Sequence, residues 1–242
     1  MPNLITKHKS TPRKLEDIDI LILCGGQGTR LASVMGDKPK SLAEIKEKTF
    51  LDILMESILS QGFRKIILCV GHLKDQIKNK YEGIPGIFIS EEALPLGTGG
   101  AVKNAEKFVQ SKSFLVTNGD SIFTGLNFKK FYDFHEQQNG LISVALSAPR
   151  KDKDFGGVSI SENNSISSFS EKSNLDVEKF MNGGVYLMKK EVLNLMPSSP
   201  FSLEYDFFPK FSGGSLYGFI SPGEVIDIGT PERYEYAKKL LS

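Results

Sequence analysis

The segment Cys24-Gly25-Gly26-Gln27-Gly28-Thr29-Arg30 places three glycines and a guanidinium directly after an apolar run, and Lys40 follows ten residues later between Pro39 and Ser41. Glycines let backbone N–H groups approach phosphate oxygens without interference from a Cβ. An arginine adds a planar, permanently charged fork suited to phosphate, and a lysine adds a compact point charge. The glycines by themselves read equally as a tight turn. Arg30 and Lys40 tip the balance toward phosphate. Two common nucleotide loops do not explain the segment. The pattern GxxxxGK[ST] is absent, and GxGxxG fits at Gly26 and Gly28 but meets Leu31 at its third position.

Two acids stand where a hard cation would find oxygen ligands. Asp120 closes the turn "NGD" after the strand-like run "SFLVT". Asp227 lies among Val225, Ile226 and Ile228, where a carboxylate needs a partner or a metal. Mg²⁺ prefers such oxygens and shares them with substrate phosphates. Asp120 taken alone is also an ordinary turn aspartate. By residue type alone, Glu92 is a loop acid, Glu171 and Lys172 of "FSEK" are an exposed ion pair, and Asn182 and Gly183 of "NGGVYL" are a turn entering a strand. His72 ends a strand-like run near the same edge; His8 and His135 have no acid or nucleophile context. "DID" at Asp17–Asp19 has the spacing of a DxD metal motif but lies ahead of the first predicted strand.

These groups need a scaffold, and the pattern of the chain supplies one. Strand-like runs at 18–24, 64–71, 86–92 and 113–123 alternate with helical runs at 50–63, 73–83 and 97–109, the alternation of an α/β sheet with crossover helices. The helical stripe of 50–63 consists of Phe50, Ile53, Leu54, Ile58 and Leu59. Loops after parallel strands gather at the carboxyl edge of the sheet, where ligands bind. The second half is richer in strands, with short helical pieces at 192–197 and 202–211 and a closing helix at 230–241. The expected architecture is one α/β domain over residues 18–242, with a mixed, mostly parallel sheet flanked by helices, preceded by a basic extension over 1–17.

A formal charge of +1 argues against a general nucleic-acid binder. No apolar run reaches the ~18 residues of a membrane span, and the first fifteen residues lack the apolar core of a secretory signal. Cys24 and Cys69 lie in strand-like runs and read as buried free thiols of a cytoplasmic protein.

"GGQGTRL" followed by "PKSL" resembles the signature of the sugar-1-phosphate nucleotidyltransferases, and "PLGTGGA", "NGD", "FSEK", "NGGVYL" and "DIGTPE" follow in that family's order. The resemblance implies a Rossmann-like nucleotidyltransferase fold and a reaction of a nucleoside triphosphate with a sugar 1-phosphate, releasing pyrophosphate. It implies Mg²⁺ as cofactor, held by Asp120 and Asp227. It implies that Arg30 and Lys40 are catalytic, and that Cys24, Gly25, Gly26, Gly28, Thr29, Glu92, Gly97 and Thr98 line the nucleotide site. Glu171, Lys172, Asn182 and Gly183 would then meet the sugar phosphate. Glu232 and Arg233 read as helix-start residues on a solvated face. "FSLEYDFFP" and "DIGTPERY" are most similar to the bacterial branch that uses GTP and D-glycero-α-D-manno-heptose 1-phosphate in making cell-surface polysaccharide. Branches using mannose 1-phosphate with GTP, or N-acetylmuramate 1-phosphate with UTP, stay open. So do a non-catalytic nucleotide-sugar-binding regulatory subunit and a homo-oligomer. The chain departs from the family at Glu44, where proline is usual.

Overall fold

Apolar residues that alternate between the two faces of β1 (Asp19–Leu23) set the plan of the molecule. Ile20 and Ile22 face one core, and Leu21 faces the other. A strand buried on both faces belongs at the centre of a parallel sheet covered by helices. The computed structural model describes residues 14–148, 157–170 and 180–241. In it, β1 lies between β4 (Lys65–Val70) and β6 (Ser113–Asn118), parallel to both. β5 (Ile87–Glu91) continues the parallel set beside β4.

The other half turns antiparallel. β11 (Phe180–Lys189) pairs with β6, with β8 (Ile142–Ser147) and with β9 (Gly157–Ile160), and β10 (Ile166–Ser170) closes that edge. β12 (Leu216–Ile220) runs parallel to β8. Among the described residues this gives a nine-stranded sheet. The expected mixed sheet is therefore present. Two short ribbons stand off it: β2 (Glu44–Ile45) with β3 (Lys48–Thr49), and β7 (Ser121–Phe123) with β13 (Val225–Asp227).

Helices α2 (Phe50–Ser60), α3 (Lys74–Tyr81), α5 (Phe128–Gln137) and α6 (Pro231–Leu240) cover one face. α4 (Gly97–Asn104) and the helical turns at Lys190–Leu195 and Leu203–Phe211 cover the other. α1 (Ala32–Met35) is a single turn beside the glycine segment. A capping box starts α2: Asp52 N–H donates to Thr49 Oγ1 at 3.2 Å, and Thr49 N–H donates to Asp52 Oδ2 at 2.8 Å. The buried stripe of α2 is Phe50, Leu51, Leu54, Met55 and Ile58. Leu59, expected inside, is 38% exposed, because the core lies a fraction of a turn toward Leu51 and Met55.

Leu15 is already buried in the core, so the folded body begins within the segment read as an extension. Cys24 and Cys69 are buried, free, and face opposite sides of the sheet. No helix among the described residues is long and apolar enough to cross a membrane.

His135 on α5 is 1% exposed, and Nδ1 lies 2.9 Å from Ser143 Oγ. Burial, with a smaller push from Lys189, lowers its pKa to about 4. An unfolded chain titrates this group near 6.5. Between those values the unfolded chain binds a proton that the folded chain refuses. The stability that His135 contributes is therefore intact above about 6.5 and drains away as the pH falls toward 4. The expected loss across that window is roughly 3 kcal/mol. Chemical denaturation of His135→Gln at a series of pH values tests this. The slope between those pH values should flatten, and an unaltered slope would assign the acid sensitivity elsewhere.

Candidate active site

Because β1, β4, β5 and β6 run parallel, the segments after them meet at one edge. Cys24 N–H donates to Cys69 O at 2.8 Å, Glu92 N–H to Val70 O at 2.8 Å, and Gly119 N–H to Leu23 O at 2.9 Å. A cleft of about 470 Å³ opens there, lined by the glycine segment 24–30, Lys40, Glu92, residues 95–98, Asn118 to Asp120, and Gly229. Every residue expected at the nucleotide lies on this lining, as do Arg30, Lys40 and Asp120.

Two of the glycines are required by geometry. Gly28 has φ +62°, and a β-carbon there would stand 3.2 Å from Lys40 Cβ. A β-carbon on Gly25 would stand 2.7 Å from Glu92 Oε1, so the loop lies directly on that carboxyl. His72 fixes the loop from behind through its backbone, its N–H donating to Gly25 O at 3.2 Å.

Arg30 sits at the rim in the turn Thr29–Leu31, exposed and without an ion pair among the described residues. Lys40 sits deeper, in the turn Lys40–Leu42, with its side chain 13% exposed. Its Nζ is 2.5 Å from Asp120 Oδ2. The chain beyond Lys40 is held by Glu44: Tyr234 O–H donates to the Glu44 carbonyl at 2.5 Å, and Lys38 Nζ meets Glu44 Oε1 at 2.8 Å. An acid in place of proline is therefore accommodated by an ion pair and a backbone bond.

Asp120 and Asp227 come together through the β7–β13 ribbon. Asp227 stands opposite Ser121, and Ile228 N–H donates to Asp120 O at 3.1 Å. Asp227 Oδ1 accepts from Gly229 N–H at 2.7 Å and pairs with Arg233 Nη1 at 3.4 Å. Arg233 is thus not a solvated helix-start residue. Its side chain is 21% exposed and turns into the site to meet Asp227. Among the described residues both contacts fall on Oδ1, leaving Oδ2 for another ligand. Two carboxylates suit a hard cation that completes its shell with water and substrate phosphate. A cage of three or more His, Cys, Asp or Glu does not occur among the described residues. "DID" lies elsewhere: Asp19, at the amino end of β1, pairs with Lys65 at 2.9 Å and accepts from Ser111 N–H at 2.7 Å. That acid is a structural anchor remote from the cleft.

Glu92 is 8% exposed. Burial raises its pKa, against the opposing pull of Leu96 N–H, which donates to Oε2 at 3.1 Å. Burial pushes the Cys24 thiol up to about 12. Thr98 spends its hydroxyl on protein: Oγ1 donates to Glu204 Oε2 and accepts from Leu203 N–H, each at 2.8 Å. Asn182 is also engaged, donating from Nδ2 to Tyr186 Oη and accepting Gly184 N–H on Oδ1, each at 3.0 Å. Gly183 is buried against the ring of Phe123. Glu171 and Lys172 lie outside the described residues. The site residues that the sequence does not single out are Arg233, Tyr186 and Glu204. For Glu204 the available signal is an acid inside the apolar run "SLEYDFF".

The profile of the nucleotidyl transferase family matches residues 20–241. A D-glycero-alpha-D-manno-heptose 1-phosphate guanylyltransferase from Aneurinibacillus thermoaerophilus is 36% identical over 230 residues, covering 93% of this chain and 98% of its own length. The crystal structure of HddC from Yersinia pseudotuberculosis, solved also in complex with GMP-PN, superimposes with a TM-score of 0.81 at 34% identity, over 93% of this chain and all of that one. The inositol-1-phosphate CTP transferase from T. maritima shares the fold, with a TM-score of 0.76 at 23% identity over 94% of this chain and 97% of its own.

Proposed function

The chain belongs to the nucleotidyl transferase family, and on that premise we propose that it transfers the guanylyl group of GTP to D-glycero-α-D-manno-heptose 1-phosphate. The products are the GDP-heptose and pyrophosphate. The observation that carries this reading is convergence: Lys40, Asp120 and the glycine segment share one cleft, and Asp227 adjoins it through Gly229. The similarity to a heptose 1-phosphate guanylyltransferase over nearly its full length supports the choice of base and sugar.

An oxygen of the sugar phosphate attacks the α-phosphorus, and the bond to the bridging oxygen of the β-phosphate breaks as pyrophosphate leaves. The attacking phosphate is already an anion, so no protein base is needed. The difficulty is repulsion between two polyanions. Backbone N–H groups of the glycine segment and Arg30 hold the leaving pyrophosphate, and Lys40 neutralises charge deeper in the cleft. Catalysis is then positioning plus electrostatic stabilisation. Asp120 and Asp227 would hold Mg²⁺, which supplies Lewis-acid neutralisation of phosphate oxygens.

Glu92 selects the base in this scheme, accepting from guanine N1–H and N2–H. An amide in its place offers a hydrogen to a donor. Glu92→Gln should therefore lower the preference for GTP over other triphosphates by roughly tenfold to a hundredfold, the range for one charge-assisted hydrogen bond. Competition assays with mixed triphosphates measure it; an unmoved preference would remove Glu92 from base recognition. The function itself is tested by a matrix of five nucleoside triphosphates against a panel of sugar 1-phosphates, scored by pyrophosphate release. GTP with the heptose 1-phosphate should head the matrix. No release with any pair would end the reading.

A further inference from the structure

Glu204 lies behind the cleft lining and takes hydrogen bonds from both α4, through Thr98, and β11, through Tyr186. Oε2 accepts from Thr98 Oγ1 at 2.8 Å and from Ser202 Oγ at 2.9 Å, and Oε1 accepts from Tyr186 Oη at 2.9 Å. Tyr186 Oη in turn accepts from Asn182 Nδ2 at 3.0 Å. A continuous chain of hydrogen bonds therefore runs from the nucleotide segment at Thr98, through Glu204 and Tyr186, to Asn182 on β11. The backbone beside it is clamped as well: Phe201 N–H donates to Leu96 O, and Gly99 N–H donates to Phe201 O, both at 3.0 Å.

The direction of every bond is forced. Thr98 Oγ1 already accepts Leu203 N–H, so its one proton goes to Glu204. Tyr186 has one proton and gives it to Glu204, so it can only accept from Asn182. Asn182 Oδ1 is held by Gly184 N–H, which fixes the amide against flipping. Removing the Tyr186 hydroxyl leaves Asn182 Nδ2 without its acceptor, and removing the Thr98 hydroxyl leaves Glu204 Oε2 to Ser202 Oγ alone.

We propose that Glu204 is a positioning residue that couples occupancy of the nucleotide segment to the orientation of Asn182 on the sugar side. Nucleotide contact at residues 97–98 is thereby felt at the sugar subsite without Glu204 touching either substrate. This rests on the nucleotidyl-transfer reading, in which Asn182 meets the sugar phosphate.

Calorimetric titration of the full chain tests it, with Mg²⁺, α,β-methylene GTP and D-glycero-α-D-manno-heptose 1-phosphate as probes. The methylene bridge prevents turnover. Thr98→Val removes the bonds to Glu204 and Leu203 N–H but no contact with β11, yet it should weaken the sugar phosphate by about fivefold or more, the scale of a linked pair of sites. Tyr186→Phe should weaken the sugar phosphate similarly while leaving the GTP analogue within about twofold of wild type. The double variant should be no weaker than the weaker single one, since both cut the same chain. Thr98→Ser keeps the hydroxyl and should restore wild-type affinity, which separates loss of the bond from loss of fold. Unchanged sugar-phosphate affinity in Thr98→Val, or additive losses in the double variant, overturns the coupling alone. A wild-type chain that binds neither probe overturns the functional reading, and the coupling with it.

Discussion

Lys40→Ala is expected to turn over at roughly one hundredth to one thousandth of the wild-type rate, the effect of removing one preorganised charge stabiliser from a water-poor site. Lys40 is the best-placed cation for this role. Its side chain is 13% exposed, while Arg30 lies exposed at the rim. A charge held in low dielectric acts more strongly on a developing charge than one in solvent. The loss should appear in kcat more than in the KM for GTP, because charge shifts toward the departing pyrophosphate only during the reaction. Lys40 also occupies Asp120 Oδ2 at 2.5 Å, so a metal ion and Lys40 compete for that oxygen. Lys40→Ala should therefore bind Mn²⁺, as a spectroscopic stand-in for Mg²⁺, more tightly than wild type while turning over more slowly. Turnover near normal would contradict the assignment of Lys40.

Asp227→Asn should lower turnover by two or more orders of magnitude and move the Mg²⁺ requirement to higher concentration. Asparagine keeps an oxygen for Gly229 N–H and for Arg233, so the fold around β13 should survive. What disappears is the negative charge that would hold the metal and balance Arg233. Pyrophosphate release measured against Mg²⁺ concentration gives both effects at once. An unshifted Mg²⁺ curve at full turnover would take Asp227 out of the metal site. Asp227→Ala is the poorer test, because it strips a partly buried arginine of a partner.

The features most legible in the sequence are those that local pattern determines. Unbroken burial along "DILIL" and "KIILCV" requires strands covered on both faces, and parallel strands bring the segments at 24–30, 92 and 118–120 to one edge. α5 is absent from the periodic runs read above, although Asn127 caps it and Phe128, Phe131, Tyr132 and His135 form its buried stripe. One of the four is a histidine, a residue that looks polar in sequence and is driven neutral in place. Arg233, read as a solvated helix-start residue, and Glu204, not singled out, are missed for a different reason. Their roles depend on partners 6 and 106 residues away, brought close by the β7–β13 ribbon and by the clamp between Phe201 and α4. No local spacing encodes such contacts.

The two thiols have a further consequence. One points into each core, with a layer of hydrogen-bonded backbone between them. Oxidants cannot join them without tearing the centre of the sheet, and a thiol held protonated is a poor nucleophile toward peroxide or alkylating reagents. The sulfur of Cys24 thus borders the cleft as a small apolar surface rather than as a reactive thiolate.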